Sequence, residues 1–225
     1  MTMRLGAANG VALVLALLVM LMMSALGAAF VLVTSSEAMI AGNFRSGQEG
    51  TYAARAAAER ALADLAIVGD WNGVLGGTVR STFVDGLPAG SRTLTDGSSV
   101  DLSQIVNLAN CRKTSACTAA EMDAVTAERP HGPNNPRWQP YAYGRLADVG
   151  AAGAVDSPYY VLVLAGDDPS EIDGDPLHDG TGASLGAGVL ALRVEALGPR
   201  GAHKTIGLSV ARASPTGIRV LSWRY

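Results

Sequence analysis

The run from Gly10 to Val33, GVALVLALLVMLMMSALGAAFVLV, constrains this chain more than any other feature. Val11–Val33 is 23 residues without a charge, and Ser24 is its one clearly polar side chain. As a helix rising 1.5 Å per residue, such a stretch is about 35 Å long, enough for a hydrocarbon core of about 30 Å. A secretory signal is the competing outcome. Its apolar core is shorter, roughly 7–15 residues, and small residues close it at a cleavage site. Ala25-Leu26-Gly27-Ala28-Ala29 supplies residues of that kind, so removal of the run stays open. Length favours an anchor. Arg4 precedes the run, and Glu37 and Arg45 follow it closely. That placement leans toward an amino terminus in the cytoplasm and the remainder outside.

The whole chain has 225 residues, room for one domain of ordinary size behind such a segment. A net charge of -3, no Lys before Lys113 and no basic run longer than two residues argue against nucleic acid as a partner. Binding it requires clustered Lys and Arg to neutralise phosphates. The two cysteines, Cys111 and Cys117 in NCRKTSAC, read as a disulfide closing a short loop if the chain is exported. Two free thiols are the alternative. With no histidine nearby they make a poor zinc site, and the spacing is not that of a CxxC redox pair.

The apolar run continues through Ser36-Glu37-Ala38-Met39. From Thr51 to Ile67, Ala, Arg, Glu and Leu dominate, all good helix formers. Tyr52, Ala56, Leu62, Ala63, Leu65 and Ala66 against Glu59 and Arg60 divide that segment into an apolar and a charged face. The expectation is one very long helix from Val11 to about Val68, stopped at Gly69-Asp70. Gly42, Gly47 and Gly50 each cost about 1 kcal/mol relative to Ala, which predicts a partly unwound middle. A continuous helix of that extent is about 85 Å long, so its second half must pack on something outside a bilayer.

Beyond Trp71, Gly, Ser, Thr, Asp and Pro break the sequence into short pieces. The pattern predicts a strand over 78–84 and a turn at 85–88. Short helices over 103–109 and 119–127 flank the cysteine loop, and an irregular proline-rich loop follows over 129–140. Strands are predicted over 141–146, 159–164, 188–195, 204–212 and 218–223. Their spacing suggests an antiparallel sheet with one face covered by the outer half of the long helix, an α+β arrangement. No internal repeat or low-complexity tract is present.

One Gly before an uncharged run, a long helix carried past it and a β domain behind it resemble the type IV pilins. Within them, Ser36-Glu37-Ala38-Met39-Ile40-Ala41-Gly42-Asn43-Phe44-Arg45, followed by Ala54-Arg55-Ala56-Ala57-Ala58-Glu59-Arg60-Ala61-Leu62, resembles the amino-terminal region of PilX-type minor pilins. That pattern is roughly S-x-x-E-x-M-A-G-N-x-R, then Q-x-A-x-x-A-A-E-x-A-L. Farther on, Asn134–Trp138, Tyr141–Gly144, Gly174–Pro176, Gly198–Ala202 and Arg219–Arg224 are similar to members of the same group.

The resemblance implies a pilin-like fold: a leader over 1–10, a transmembrane helix over 11–33, its outer half over 34–68 and a β-rich globular domain over 69–225. It also implies cleavage by a prepilin peptidase between Gly10 and Val11, methylation of the new amino terminus at Val11, and single-pass residence in the inner membrane. The subunit then passes to a pilus at the cell surface, in the company of other minor pilins and the major pilin. Small residues such as Ala25, Gly27, Ala28 and Ala29 permit close helix approach in such a fibre. One departure matters. Major pilins carry Glu at the fifth mature position, where it can pair with a neighbour's amino terminus, and here that place is Leu15. A buried carboxylate is costly without a partner, so a subunit lacking it fits an initiation or tip position better than the shaft. A pseudopilin of a type II secretion system shares this architecture. An anchored or secreted binding or adhesion domain is the reading from another class.

The most acidic stretch is GDDPSEIDGDPLHDG, Gly166 to Gly180. Asp167, Asp168, Asp173, Asp175 and Asp179 are candidate hard-oxygen ligands for Ca²⁺. The spacing is not that of an EF-hand, and Asp and Gly equally favour turns in a solvated loop. No GxSxG, HExxH, P-loop or GxGxxG–helix context occurs, and His131, His178 and His203 lie in separate settings. Catalysis is therefore not expected. Trp138, Tyr141, Tyr143, Tyr159, Tyr160 and Trp223 fit either an adhesive patch or a core.

Overall fold

The structure is a computed structural model and describes residues 8–124, 130–150, 155–180, 186–213 and 217–225, with side chains from residue 10 onward. The chain divides into two compact units, Met1–Arg45 and Ser46–Tyr225. The helix α1 (Ala8–Leu65) contributes to both.

In the first unit α1 is helical throughout its described length, and every residue from Gly10 to Arg45 is exposed. It is the one described helix long and apolar enough to cross a membrane, and it lies near the amino terminus. The predicted partly unwound middle is not found: Gly42, Gly47 and Gly50 are all helical. No proline interrupts the run, so each glycine weakens the helix without removing a hydrogen bond. Gly50 has a packing reason to be there. A Cβ on it would lie 3.2 Å from Lys204 Cβ and 3.4 Å from a Tyr159 ring carbon.

In the second unit, the rest of α1 packs through small residues. Ala53, Ala57, Ala61 and Leu65 form one row and Ala54, Ala58 and Leu62 another, each spaced by four and all buried. This corrects the predicted apolar face, because Tyr52 is 65% exposed and Ala63 is exposed too. Alanine rows let the helix axis come close to the sheet, which a tyrosine would prevent. The helix ends at Leu65, and a turn carries the chain to Val68, where helix was expected. There Asp64 accepts hydrogen bonds from the Ser81 hydroxyl, from the Thr82 amide (2.9 Å) and from its hydroxyl. Burial opposes ionisation of Asp64, but those bonds and the charge of Arg60 hold its carboxyl below the usual range. Trp71 follows, fully buried, with the Arg212 guanidinium 4.4 Å above its ring. The helix α2 (Asn72–Leu75) comes next.

The main sheet is five-stranded and antiparallel, ordered β3 (Gln139–Arg145), β4 (Tyr160–Asp167), β5 (Val189–Leu197), β6 (His203–Arg212) and β7 (Ile218–Arg224). Alternation sorts it into two faces. Val161, Val163, Leu190, Leu192, Val194, Ile206 and Leu208 join the α1 rows in one core. Tyr143, Tyr160, Leu162 and Leu164 point the other way. They meet Leu94, Leu102 and Ala109 from a small hairpin, β1 (Ser91–Thr93) and β2 (Ser99–Asp101), and from α3 (Leu102–Cys111). Since β4 is covered on both faces, its run YYVLVL is apolar without alternation.

Four local expectations change. The segment predicted as a strand over 78–84 starts in a turn, where the Thr78 and Val79 amides both donate to the Gly73 carbonyl, and its ladder is a single parallel bridge from Val84 to Tyr143. The hairpin β1–β2 is additional to the predicted strands. The helix expected over 119–127 is α4 (Ala119–Asp123), opened by a capping box between Thr118 and Glu121, and residues 125–129 lie outside the described residues. The predicted loop over 129–140 contains one helical turn and ends in β3, which starts at Gln139.

Candidate functional site

The apolar helix is the first site. Gly10 and Val11 sit side by side in α1, both exposed, and a Cβ on Gly10 would meet nothing. Three hydroxyls along the helix bond within it. Ser24 donates to the Met20 carbonyl (2.8 Å), Thr34 to Phe30 (2.7 Å) and Ser36 to Leu32 (3.0 Å). Each returns its proton to the preceding turn, so these groups need no water when the helix enters an apolar medium. Leu15 projects from the same exposed stretch. Leucine, valine, methionine and alanine give this surface no charge to desolvate, whether the surrounding material is lipid or other helices.

Cys111 and Cys117 are joined by a disulfide, as expected of an exported chain. The bridge ties the end of α3 to the approach to α4. Asn107 and Lys113 reinforce the loop, through a hydrogen bond from the Asn107 amide to the Thr114 carbonyl (3.2 Å) and an ion pair between Lys113 and Glu121.

The acidic stretch does not gather ligands. Asp168 accepts from the Ser170 amide (2.9 Å), Asp173 from the Asp175 amide (2.8 Å) and Asp179 from the Gly188 amide (2.6 Å). Asp175 faces the His178 ring at 2.8 Å. Asp168 and Asp173 cap separate turns, as Asp does in loops, and Asp179 bonds a more distant amide. Among the described residues no group of three or more acidic, histidine or cysteine side chains is placed to hold a metal ion. The expected calcium set of Asp167, Asp168, Asp173, Asp175 and Asp179 is therefore not assembled.

Burial of Glu171, Asp167 and Glu195 carries no signal in the sequence. Glu171 is 0% exposed, and neither carboxylate oxygen makes a well-formed hydrogen bond with a described residue. Burial pushes its carboxyl up. The backbone of Gly180 close by works against the rise, and the neighbouring charges of Asp173, Asp179 and Asp168 add to it. Asp167, buried at the end of β4, is pushed up to about 8 by the same burial and by Glu171 beside it. Glu195 in β5 is equally buried, at 1%, and has the opposite fate. It accepts from Arg193 Nε (2.6 Å) and the Thr205 hydroxyl (2.6 Å), and His203 Nε2 lies 2.5 Å away. Burial works against its charge, but those partners win and hold its carboxyl low, while the bond to Glu195 raises His203. Cross-strand register creates this cluster, pairing Glu195 with Thr205 and Leu197 with His203. Of the aromatics, Trp138, Tyr141, Tyr143, Tyr159 and Tyr160 are core, whereas Trp223 lies at the sheet edge and is half-buried.

Compared with protein-family models, with curated proteins and with solved structures, the chain matches none.

Proposed function

We propose that this chain is a minor pilin of the PilX type that takes part in type IV pilus assembly, in an initiation or tip complex with other minor pilins. The observation that carries the reading is the division of labour within α1. One part exposes an uncharged surface with hydroxyls bonded within the helix, and the other packs through alanine rows on a five-stranded antiparallel sheet. The motif around Met39–Arg45 adds to it. In this reading Val11–Val33 first crosses the inner membrane, with the amino terminus cytoplasmic. A prepilin peptidase cuts between Gly10 and Val11, and Val11 is methylated. The same helix then leaves lipid for the fibre, where helices of the major pilin and of other minor pilins replace acyl chains. Apolar packing serves in both media because neither offers hydrogen bonds.

Leu15 supports a position at the start or tip of the fibre. With no carboxylate there, the subunit does not require a neighbour's amino terminus ahead of it. The role is assembly, not catalysis. Quantitative mass spectrometry of purified pili tests it: a few copies per fibre are expected, and an abundance equal to that of the major subunit contradicts the tip assignment.

A further inference from the structure

The two edges of the main sheet are treated differently. Beside β3, the Ser81 amide donates to the Tyr141 carbonyl (2.9 Å) and the Tyr143 amide to the Phe83 carbonyl (3.0 Å), and Val84 bridges to Tyr143. An extended piece of the chain itself thus covers that edge. Among the described residues nothing pairs with the outer side of β7, the last strand in the order. An uncovered edge offers a row of backbone donors and acceptors to any extended segment.

The side chains of β7 state what that segment should carry. On the α1 side, Ile218, Val220 and Trp223 pack partly against the core, and Trp223 stacks on Tyr225 with centroids 6.3 Å apart. Arg55 of α1 holds that pair in place, its guanidinium 5.0 Å over the Tyr225 ring and hydrogen-bonded to the Tyr225 hydroxyl at 2.7 Å. Tyr225 is still 62% exposed, and Leu221, at the bulge, is 46% exposed. On the opposite side stand Arg219, Ser222 and Arg224, paired across the ladder with Ala211, Ser209 and Gly207. Those partners are small or absent side chains, so the two guanidinium groups stand over an open surface. Neither Arg219 nor Arg224 makes an ion pair or hydrogen bond with a described residue.

We propose that β7 is a docking edge that accepts an extended, acidic segment of a partner protein as an additional strand. Its side chains alternate: apolar ones meet the Trp223–Tyr225 shelf, and acidic ones meet Arg219 and Arg224. A second copy of this chain is a poor occupant. Antiparallel pairing of two β7 strands in the register that matches their faces, with Val220 opposite Trp223, sets Arg219 of one copy opposite Arg224 of the other, and like charges directly opposite are destabilising. The proposal depends only on the globular unit and does not need the pilin reading.

The test uses the full-length chain in detergent micelles, a synthetic peptide of about ten residues alternating Glu and Val, and its Lys–Val counterpart. Amide hydrogen exchange of β7 is expected to slow with the Glu–Val peptide and to stay unchanged with the Lys–Val peptide. The R219E/R224E variant is expected to weaken the acidic peptide by about tenfold in Kd and to accept the basic one. R219Q/R224Q serves the same purpose if charge reversal disturbs folding, which exchange of β4 amides reports. No protection of β7 by the acidic peptide overturns the proposal and leaves the arginines as guards of a closed edge. Equal protection by both peptides, or concentration-dependent dimerisation through β7, overturns it as well.

Discussion

Ala28 and Ala57 lie on the same helix, and their fates are opposite. The first stands exposed among Leu26, Phe30 and Leu32, while the second is sealed beneath the sheet. Helix propensity does not separate the two regions, because Ala, Leu and Met dominate the one as Ala, Arg, Glu and Leu dominate the other. What separates them is the partner. From Ser46 on, the chain supplies its own cover in β4, β5 and β6. From Gly10 to Arg45 it supplies none, and an unbroken exposed stretch that begins with Val11–Val33 calls for an apolar surrounding.

The largest effects should come from exchanging one residue type between the two regions. Leu65→Ala, at a buried position, is expected to cost about 2–5 kcal/mol of unfolding free energy for the globular unit, read by denaturant titration in micelles. Leu18→Ala is expected to change that value by under about 0.5 kcal/mol. Leu18→Arg reverses the contrast. It should leave the globular unit intact but impede membrane insertion, at a cost of about 3 kcal/mol on insertion scales, read by membrane fractionation.

A smaller effect sharpens the same comparison. Ala57→Leu pushes a larger side chain into a closed helix–sheet contact and is expected to destabilise by about 1–3 kcal/mol. Ala28→Leu meets open surface and should be neutral in the globular unit. Equal costs at the two positions would mean that the regions differ less than their burial says.

The smallest effect is titration, confined to the globular unit. In the folded chain Asp167, pushed up to about 8, keeps its proton at pH 6, whereas the unfolded chain has released it. The folded state then binds more protons, so stability falls as pH climbs from about 4 toward about 8. His203, raised by Glu195, contributes below about 6.5, and that contribution is lost as pH rises through its folded value. Glu195, held low, contributes above about 4.3 and loses its effect only on the acidic side. Denaturation midpoints should therefore be higher at pH 5.5 than at pH 8. Asp167→Asn should flatten that slope, and the remainder stays with Glu171, whose carboxyl burial also pushes up. His203→Ala should remove less, because its ring is half exposed and its pairing screened.

The long-range plan of the fold is legible because it rests on period and composition. The apolar run, the Ala-rich continuation and the strand-like pieces from Tyr141 onward each announce themselves locally. The alanine rows are harder to place, since Ala is compatible with both faces of a helix and only the nearness of the sheet selects one. The hairpin β1–β2 does carry a local signal: Thr95-Asp96-Gly97-Ser98 is a turn sequence, with Gly97 at φ +83° and Asp96 accepting from the Ser98 amide. Glu195 carries none. In RVE it reads as the solvent face of a strand, and only the register of β5 against β6 closes Thr205 and His203 over it. The acidic loop misleads for a related reason. Carboxylate spacing along a loop means little when each aspartate is already occupied, Asp168 and Asp173 by the turns that they cap and Asp179 by the Gly188 amide.

The difference between the two regions has a covalent consequence in the proposed role, because a helix that serves first as anchor and then as packing element must be cut ahead of the run and kept after it. Mass spectrometry of the amino terminus of the chain purified from its native membrane reads this directly. The account predicts a mature chain that begins at N-methylated Val11. A chain beginning near Ala29, or one retaining Met1, would contradict it.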